Sequence, residues 1–166
     1  MRKSKKYLKR QPVINFVEGA FTEKSPTHVI ISIHGIGYEI KISLITYGQI
    51  KALGEGRLYT HFHVKEDSQT LYGFYDLSEK SRFRDLIGIS GVGPSTALMV
   101  LSSLSAEELQ AAVINGQAKV IQSVKGIGGK TAERIILELK DKFKKETLLE
   151  NAIDLSGESN NTLRAQ

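Results

Sequence analysis

VKGIGGKTAERIILELK, residues 124–140, is the stretch whose reading decides the fold. Its GIGGKT invites a nucleotide-binding reading, which the spacing refuses. A phosphate-cradling P-loop carries a glycine five residues before the glycine of its GK[ST] signature. With Gly129, Lys130 and Thr131 in the later places, that position is Val124. A dinucleotide fingerprint needs a third glycine three residues after the second, here Thr131, and a strand in front of it. What remains is an apolar residue, a short polar spacer, Gly-Ile-Gly, and an amphipathic helix opening near Gly129. Ala132, Ile135, Ile136, Leu139 and Phe143 lie along that helix at helical spacing.

The same object occurs twice. Shifted back by 35 residues, LIGISGVGPSTALMVL lies over IQSVKGIGGKTAERII, pairing Gly91 with Gly126, Gly93 with Gly128, Thr96 with Thr131 and Ala97 with Ala132. Apolar positions pair too: Leu86 with Ile121, Ile89 with Val124, Val100 with Ile135 and Leu101 with Ile136. A duplicated unit is the simplest account. In each copy a short helix runs into a two-glycine hairpin, where positive φ is cheap, and a second helix follows. The first turn of that second helix leaves N–H groups unpaired at the positive end of its dipole, which suits an anion. This is the helix-hairpin-helix pattern, whose usual anion is a DNA phosphate. Two hairpins about an approximate twofold can hold both strands of a duplex across the minor groove, through backbone contacts that ignore sequence.

Charge is less informative than it looks. Of the net +5, six cations belong to residues 1–12, MRKSKKYLKRQP, which contain no acid, so the remaining residues sum to one negative charge. Any DNA surface in the folded body is therefore a local patch plus hairpin amides, and the leader is expected to be disordered and solubilising, adding unspecific phosphate attraction. The chain has no cysteine, which excludes disulfides, zinc-thiolate sites and iron-sulfur clusters. No apolar run reaches membrane-spanning length and the leader lacks the apolar segment of a secretory signal, so a cytoplasmic protein is expected.

From Val13 to about Tyr75 the text is of short strands: VINFVEGAF, THVIISI, YEIKISL, RLYTHFHVK and QTLYGFY, separated by Gly, Pro, Ser and Asp. Five strands suggest a small closed barrel of OB type, with LITYGQIKAL as a short helix between the third and fourth. Composition changes at Asp76. Asp76 with Glu79, and Ser105 with Glu108, read as capping boxes, while Pro94 and Gly116 sit where a helix start and a helix stop want them. The expected organisation is α+β: leader 1–12, barrel 13–75, five helices forming a tandem helix-hairpin-helix domain over 76–145, and a flexible linker or tail over 146–166. Gly35-Ile36-Gly37 is a third G-I-G, but it lies between strands and reads as a strand turn.

Between the fourth and fifth strands, VKEDSQTLYGF places Glu66, Asp67 and Ser68 at a hairpin tip, where Asp and Ser are ordinary turn formers. Facing DNA, two adjacent carboxylates repel phosphates, which can keep strands apart. His61 and His63 share a strand face, but no further ligand cluster accompanies them, so packing or surface is their reading and no metal or other cofactor is expected.

A five-stranded barrel, a V-x-E-D hairpin followed by L-Y-G-F, and paired hairpins reading S-G-V-G-P and K-G-I-G-x-K-T-A-E-R resemble the RuvA family, Holliday-junction-binding subunits of the bacterial branch-migration machine. The resemblance covers residues 13 to about 145. It implies a non-catalytic protein acting in recombination and DNA repair, whose four subunits form a flat assembly, a homotetramer or two stacked as an octamer, receiving an open four-way junction on its concave face. It implies an acidic pin at Glu66 and Asp67, at the centre where strands exchange. It implies phosphate contacts from Gly91, Val92, Gly93 and Ser95 in one hairpin, and from Gly126, Ile127, Gly128, Lys130 and Thr131 in the other. A RuvB-type ATPase and a RuvC-type resolvase are the partners it implies. Ser95 stands where the family often has Lys, and Gly129 replaces the first of a frequent Lys pair, which implies weaker binding and a shallower salt slope. The basic leader precedes the point where family members usually begin. The family continues beyond the linker into a third helical domain that engages the motor, so these residues carry junction binding and leave motor coupling open.

Two other readings compete. A helix-hairpin-helix glycosylase uses a Lys nucleophile that Lys130 fits, but its Asp partner about eighteen residues on is here Leu148, with Asp141 and Asp154 off the spacing. Lyase chemistry is therefore rejected. A generic duplex-binding repair module stacking bases on its barrel has Tyr38, Tyr59, Phe62 and Tyr72 available, yet strand alternation gives most of them a core role and the carboxylate tip opposes a simple electrostatic groove.

Overall fold

The computed structural model describes residues 13–161, with side chains through residue 152. The leader, residues 1–12, and its expected disorder lie outside the described residues. The described residues divide into two compact units, the first running to Lys80 and the second starting at Ser81.

The first unit is built on five strands, β1 (Phe16–Lys24), β2 (His28–Ile33), β3 (Ile36–Ile42), β4 (Glu55–Val64) and β5 (Gln69–Phe74), closed in the order β1-β2-β3-β5-β4. All pairings are antiparallel except β3 with β5, which is the OB arrangement. Alternation along the strands sends Val17, Phe21, Val29, Ile31, Ile40, Ile42 and Leu58 inward, where they form one cluster with Ile50. The parallel closure is tight at Gly73: a Cβ there would lie 2.5 Å from Ile40 Cγ2 and 3.2 Å from Leu58 Cδ1. The third G-I-G is a strand turn as read. His34 and Gly35, with φ of 47° and 86°, join β2 to β3 in a two-residue loop between the paired Ile33 and Ile36.

Helix α1 (Leu44–Ile50) follows β3, and Ser43 caps it by accepting from the Thr46 N–H at 3.0 Å. Here the expected Asp76–Glu79 capping box gives way to a longer-range arrangement. Helix α2 (Leu77–Ile87) opens beside these residues, but the buried Glu79 carboxylate accepts from the Ser43 hydroxyl and, at 2.6 Å, from the Thr46 hydroxyl. The Asp76 carboxylate accepts from Gln49 at 2.7 Å. Burial raises the Glu79 pKa, with Asp76 adding to the rise and the two hydroxyls opposing it. A capping box satisfies exposed helix amides; these carboxylates are drawn to hydroxyl and amide donors that sequence spacing cannot reveal.

The second unit contains α3 (Pro94–Ser103), α4 (Ala106–Ile114), α5 (Ala118–Gln122) and α6 (Gly129–Asn161), so five helices follow the barrel as expected. The Ser105–Glu108 capping box forms in full. Gly116, at φ 68°, ends α4 in a Schellman motif: its N–H donates to Val113 and the Gln117 N–H to Ala112. Between α2 and α6 the Arg82 guanidinium lies 4.1 Å over the Phe143 ring and donates to Asp85 at 2.9 Å and to Glu146 at 2.7 Å. Lys142 pairs with the same Asp85.

The segment from residue 146, read from sequence as linker, begins as helix. Helix α6 continues to Asn161 without a break. Leu148, Leu149, Ala152 and Ile153 keep the helical register and no Gly or Pro intervenes before Gly157. Over residues 148–152 the helix is exposed, Leu148 and Leu149 included.

Candidate nucleic-acid interface

Each hairpin is built by the same physics. Ile89 and Val124 are buried, and each accepts from an N–H three residues on, Val92 and Ile127, at 3.0 Å in both cases. The third residue of each turn, Gly91 and Gly126, has φ of 87°. A four-residue turn with positive φ at its third position is type II, which is why glycine stands there. Val92 and Ile127 are themselves buried and anchor the hairpins from below.

The second glycines do something else. Gly93 caps α3 with φ −87° and ψ 171°, conformations open to any residue, and makes no side-chain hydrogen bond. Its carbonyl accepts from Ala97 at 2.9 Å, as that of Gly128 accepts from Ala132 at 3.0 Å. A Cβ on Gly93 or Gly128 would meet nothing within 4 Å. Both are exposed, and the first-turn amides beyond them, Ser95 and Thr96 in one copy and Gly129, Lys130 and Thr131 in the other, precede the first 5→1 helical bond. Bare backbone beside the positive end of a helix is the arrangement that lets a phosphate approach closely. Ala97 and Ala132, fully buried, let the helices of each copy close up.

The repeat extends to contacts that the sequence reading did not find. Arg134 Nη1 donates to the Ser90 carbonyl at 2.9 Å and lies 3.5 Å from where a Cβ on Gly91 would be. Met99 Cε lies 3.4 Å from the corresponding point on Gly126. Residues 99 and 134 are themselves 35 apart. Each copy thus reaches across to the first glycine of the other, as an internal twofold requires. The shift that pairs the glycines could have pointed to this pair, but it joins Met to Arg, so composition hid it.

Comparison with known proteins matches two families to separate stretches of the chain. The RuvA N terminal domain family matches residues 14–73 and the SAM-like helix-hairpin-helix tandem family matches residues 83–141. A protein of Cytophaga hutchinsonii named Holliday junction branch migration complex subunit RuvA is 53% identical over 137 residues, which are 82% of this chain and 69% of the relative. The chain belongs to the RuvA family. Relatives of the same name from Christiangramia forsetii, at 53% identity over 133 residues, and from a Polaromonas strain, at 49% over 132 residues, cover 80% and 79% of the chain and 69% and 70% of their own lengths.

In this RuvA-family chain Glu66 and Asp67 lie exposed at the tip joining β4 to β5, in a four-residue loop closed by a 2.8 Å bond from the Lys65 N–H to the Ser68 carbonyl. Ser95 and Lys130 are exposed beside the two hairpins, while Thr131 is half-buried. His61 and His63 have ring centroids 6.0 Å apart, and His63 meets Tyr72 edge-on. No group of three metal-ligating side chains exists among the described residues. Nor is any single helix there long and apolar enough to cross a membrane.

Proposed function

We propose that this chain binds four-way DNA junctions through the backbone of its two hairpins, in a structure-selective and sequence-independent way, for branch migration driven by a separate motor. The observation that carries the reading is the near-identity of the two hairpins, the same turn with the same φ of 87° at a 35-residue shift. A duplex presents two antiparallel strands related by a twofold, and a pair of anion sites related by a twofold suits both at once. The names of the relatives support a junction as the particular DNA. The chain's role is to hold DNA; ATP hydrolysis belongs to a RuvB-type partner, and a RuvC-type resolvase is the natural successor on the same junction. A fourfold assembly places one subunit on each arm, and Glu66 and Asp67 act as a pin whose charge keeps exchanging strands from re-pairing.

The test is a gel-shift titration of a synthetic four-way junction against linear duplex of matched sequence, with excess competitor DNA. Junction binding should survive competitor that strips the duplex. Equal affinity for the two DNAs sinks the junction reading and leaves a generic duplex binder. Repeating the titration with Glu66→Gln and Asp67→Asn together tests the pin: the double variant should bind the junction at least as tightly and leave its crossover less open by base-stacking fluorescence.

A further inference from the structure

The contact from Arg134 to Ser90 bears on which way a single peptide group faces. In hairpin 1, residues 89–92, the bond from Val92 N–H to the Ile89 carbonyl is common to type I and type II turns. The two types differ in the orientation of the central peptide, here Ser90–Gly91. A trans peptide is planar with its carbonyl and N–H on opposite edges. Whatever holds the Ser90 carbonyl therefore aims the Gly91 N–H the other way. Arg134 Nη1 holds that carbonyl at 2.9 Å, from a helix anchored by the buried Ala132 before it and Ile135 after it.

We propose that Arg134 is a positioning residue for hairpin 1, fixing the Ser90–Gly91 peptide through the Ser90 carbonyl so that the Gly91 N–H is presented to a phosphate before DNA arrives. This rests on the reading that the hairpins bind DNA. Hairpin 2 supplies the internal control. Its corresponding peptide, Lys125–Gly126, is approached by Met99, which packs 3.4 Å from the Gly126 Cβ position and has no N–H to donate. Among the described residues, hairpin 1 is thus held by a side-chain hydrogen bond and hairpin 2 by packing. A guanidinium suits the task because its planar fork keeps its direction where an ammonium swings.

The measurement is Arg134→Met, which copies the residue at the equivalent position of the other repeat and keeps the apolar stem. In the free full-length protein, the amide resonance of Gly91 should shift and its hydrogen exchange quicken, while Gly126 stays unchanged. Junction affinity should fall about fivefold, the worth of one net hydrogen bond, with the slope of log affinity against log salt unaltered. A slope shallower by about 0.9 would mean that Arg134 neutralises a phosphate directly, and overturns the proposal. So does an undisturbed Gly91 amide, unchanged affinity, or a variant that no longer folds, which would make the residue merely structural. If the unaltered protein binds neither junction nor duplex, the DNA reading fails by itself, and the Gly91 amide still reports on the peptide orientation.

Discussion

The two glycines of each hairpin should separate folding from binding when changed to alanine. Gly91 stands at φ 87°, where a Cβ crowds the following carbonyl at a cost of about 1–2 kcal/mol. The surrounding space does not add to this, because the nearest atom to an added Cβ is Arg134 Nη1 at an ordinary 3.5 Å. At Gly93 the backbone is extended, φ −87°, and nothing lies within 4 Å. There alanine gains about 0.4–1 kcal/mol by restricting the unfolded chain and loses about the same by being a poorer helix N-cap than glycine. Gly93→Ala should therefore leave unfolding free energy within about 0.5 kcal/mol of the original, while Gly91→Ala falls by about 1–2 kcal/mol. Binding should show the reverse emphasis. A methyl group on the exposed backbone at residue 93 displaces a phosphate oxygen from the helix amides, removing a charge-assisted hydrogen bond worth about 1.5–3 kcal/mol, or on the order of tenfold to hundredfold in affinity. Urea unfolding followed by circular dichroism gives the first quantity and junction titration by fluorescence anisotropy the second. Gly93→Ala with full affinity, or as unstable as Gly91→Ala, refutes the division of labour between the two glycines.

Glu79→Gln should remove a pH dependence. A carboxyl whose pKa is raised on folding contributes stability that is complete below its ordinary value of 4.5 and is lost as pH rises through the folded value, so the original protein should weaken relative to the variant on going from acid to neutral pH; a constant difference in urea unfolding across that range contradicts this. Arg82→Met should cost about 3 kcal/mol in the same assay, because it leaves the buried Asp85 with Lys142 alone and Glu146 without its 2.7 Å partner; a loss below about 1 kcal/mol would show the network to be nearly neutral. Ser95→Lys adds a cation beside hairpin 1 and should steepen the salt slope of duplex binding by about 0.9; an unchanged slope would place residue 95 away from phosphate.

The parts of the molecule legible in sequence are those governed by local rules. Alternation located all five strands, and glycine spacing located both hairpins because a type II turn admits little else at Gly91 and Gly126. Ser105 with Glu108, Pro94 and Gly116 behaved as their spacing predicts, since capping is settled within one helical turn. Elsewhere the outcome depended on partners far along the chain. Glu79 has the spacing of a capping residue, yet its carboxylate meets hydroxyls 33 and 36 residues away. Arg82 is a cation among many in sequence and a buried one in the structure, held by Phe143 and Glu146 across the unit. Helix α6 outlasts its core-facing stripe, whose last buried member is Phe143, so a reading tied to that stripe stops there while the backbone goes on.

The hairpins offer main-chain donors, and that has a consequence for how such a surface ages. Every residue except proline supplies the same amide, so most point mutations at exposed hairpin positions change what surrounds the donors without deleting them. Peptide N–H groups also do not titrate, so the donors stay in place across any pH at which the fold survives. A surface of this kind is exposed to mutational loss chiefly at its glycines, two in each copy, and can drift elsewhere while keeping its hold. On the proposed reading, lysines beside such donors, Lys125 and Lys130 here, would then be free to set how tightly the chain grips and how quickly it lets go.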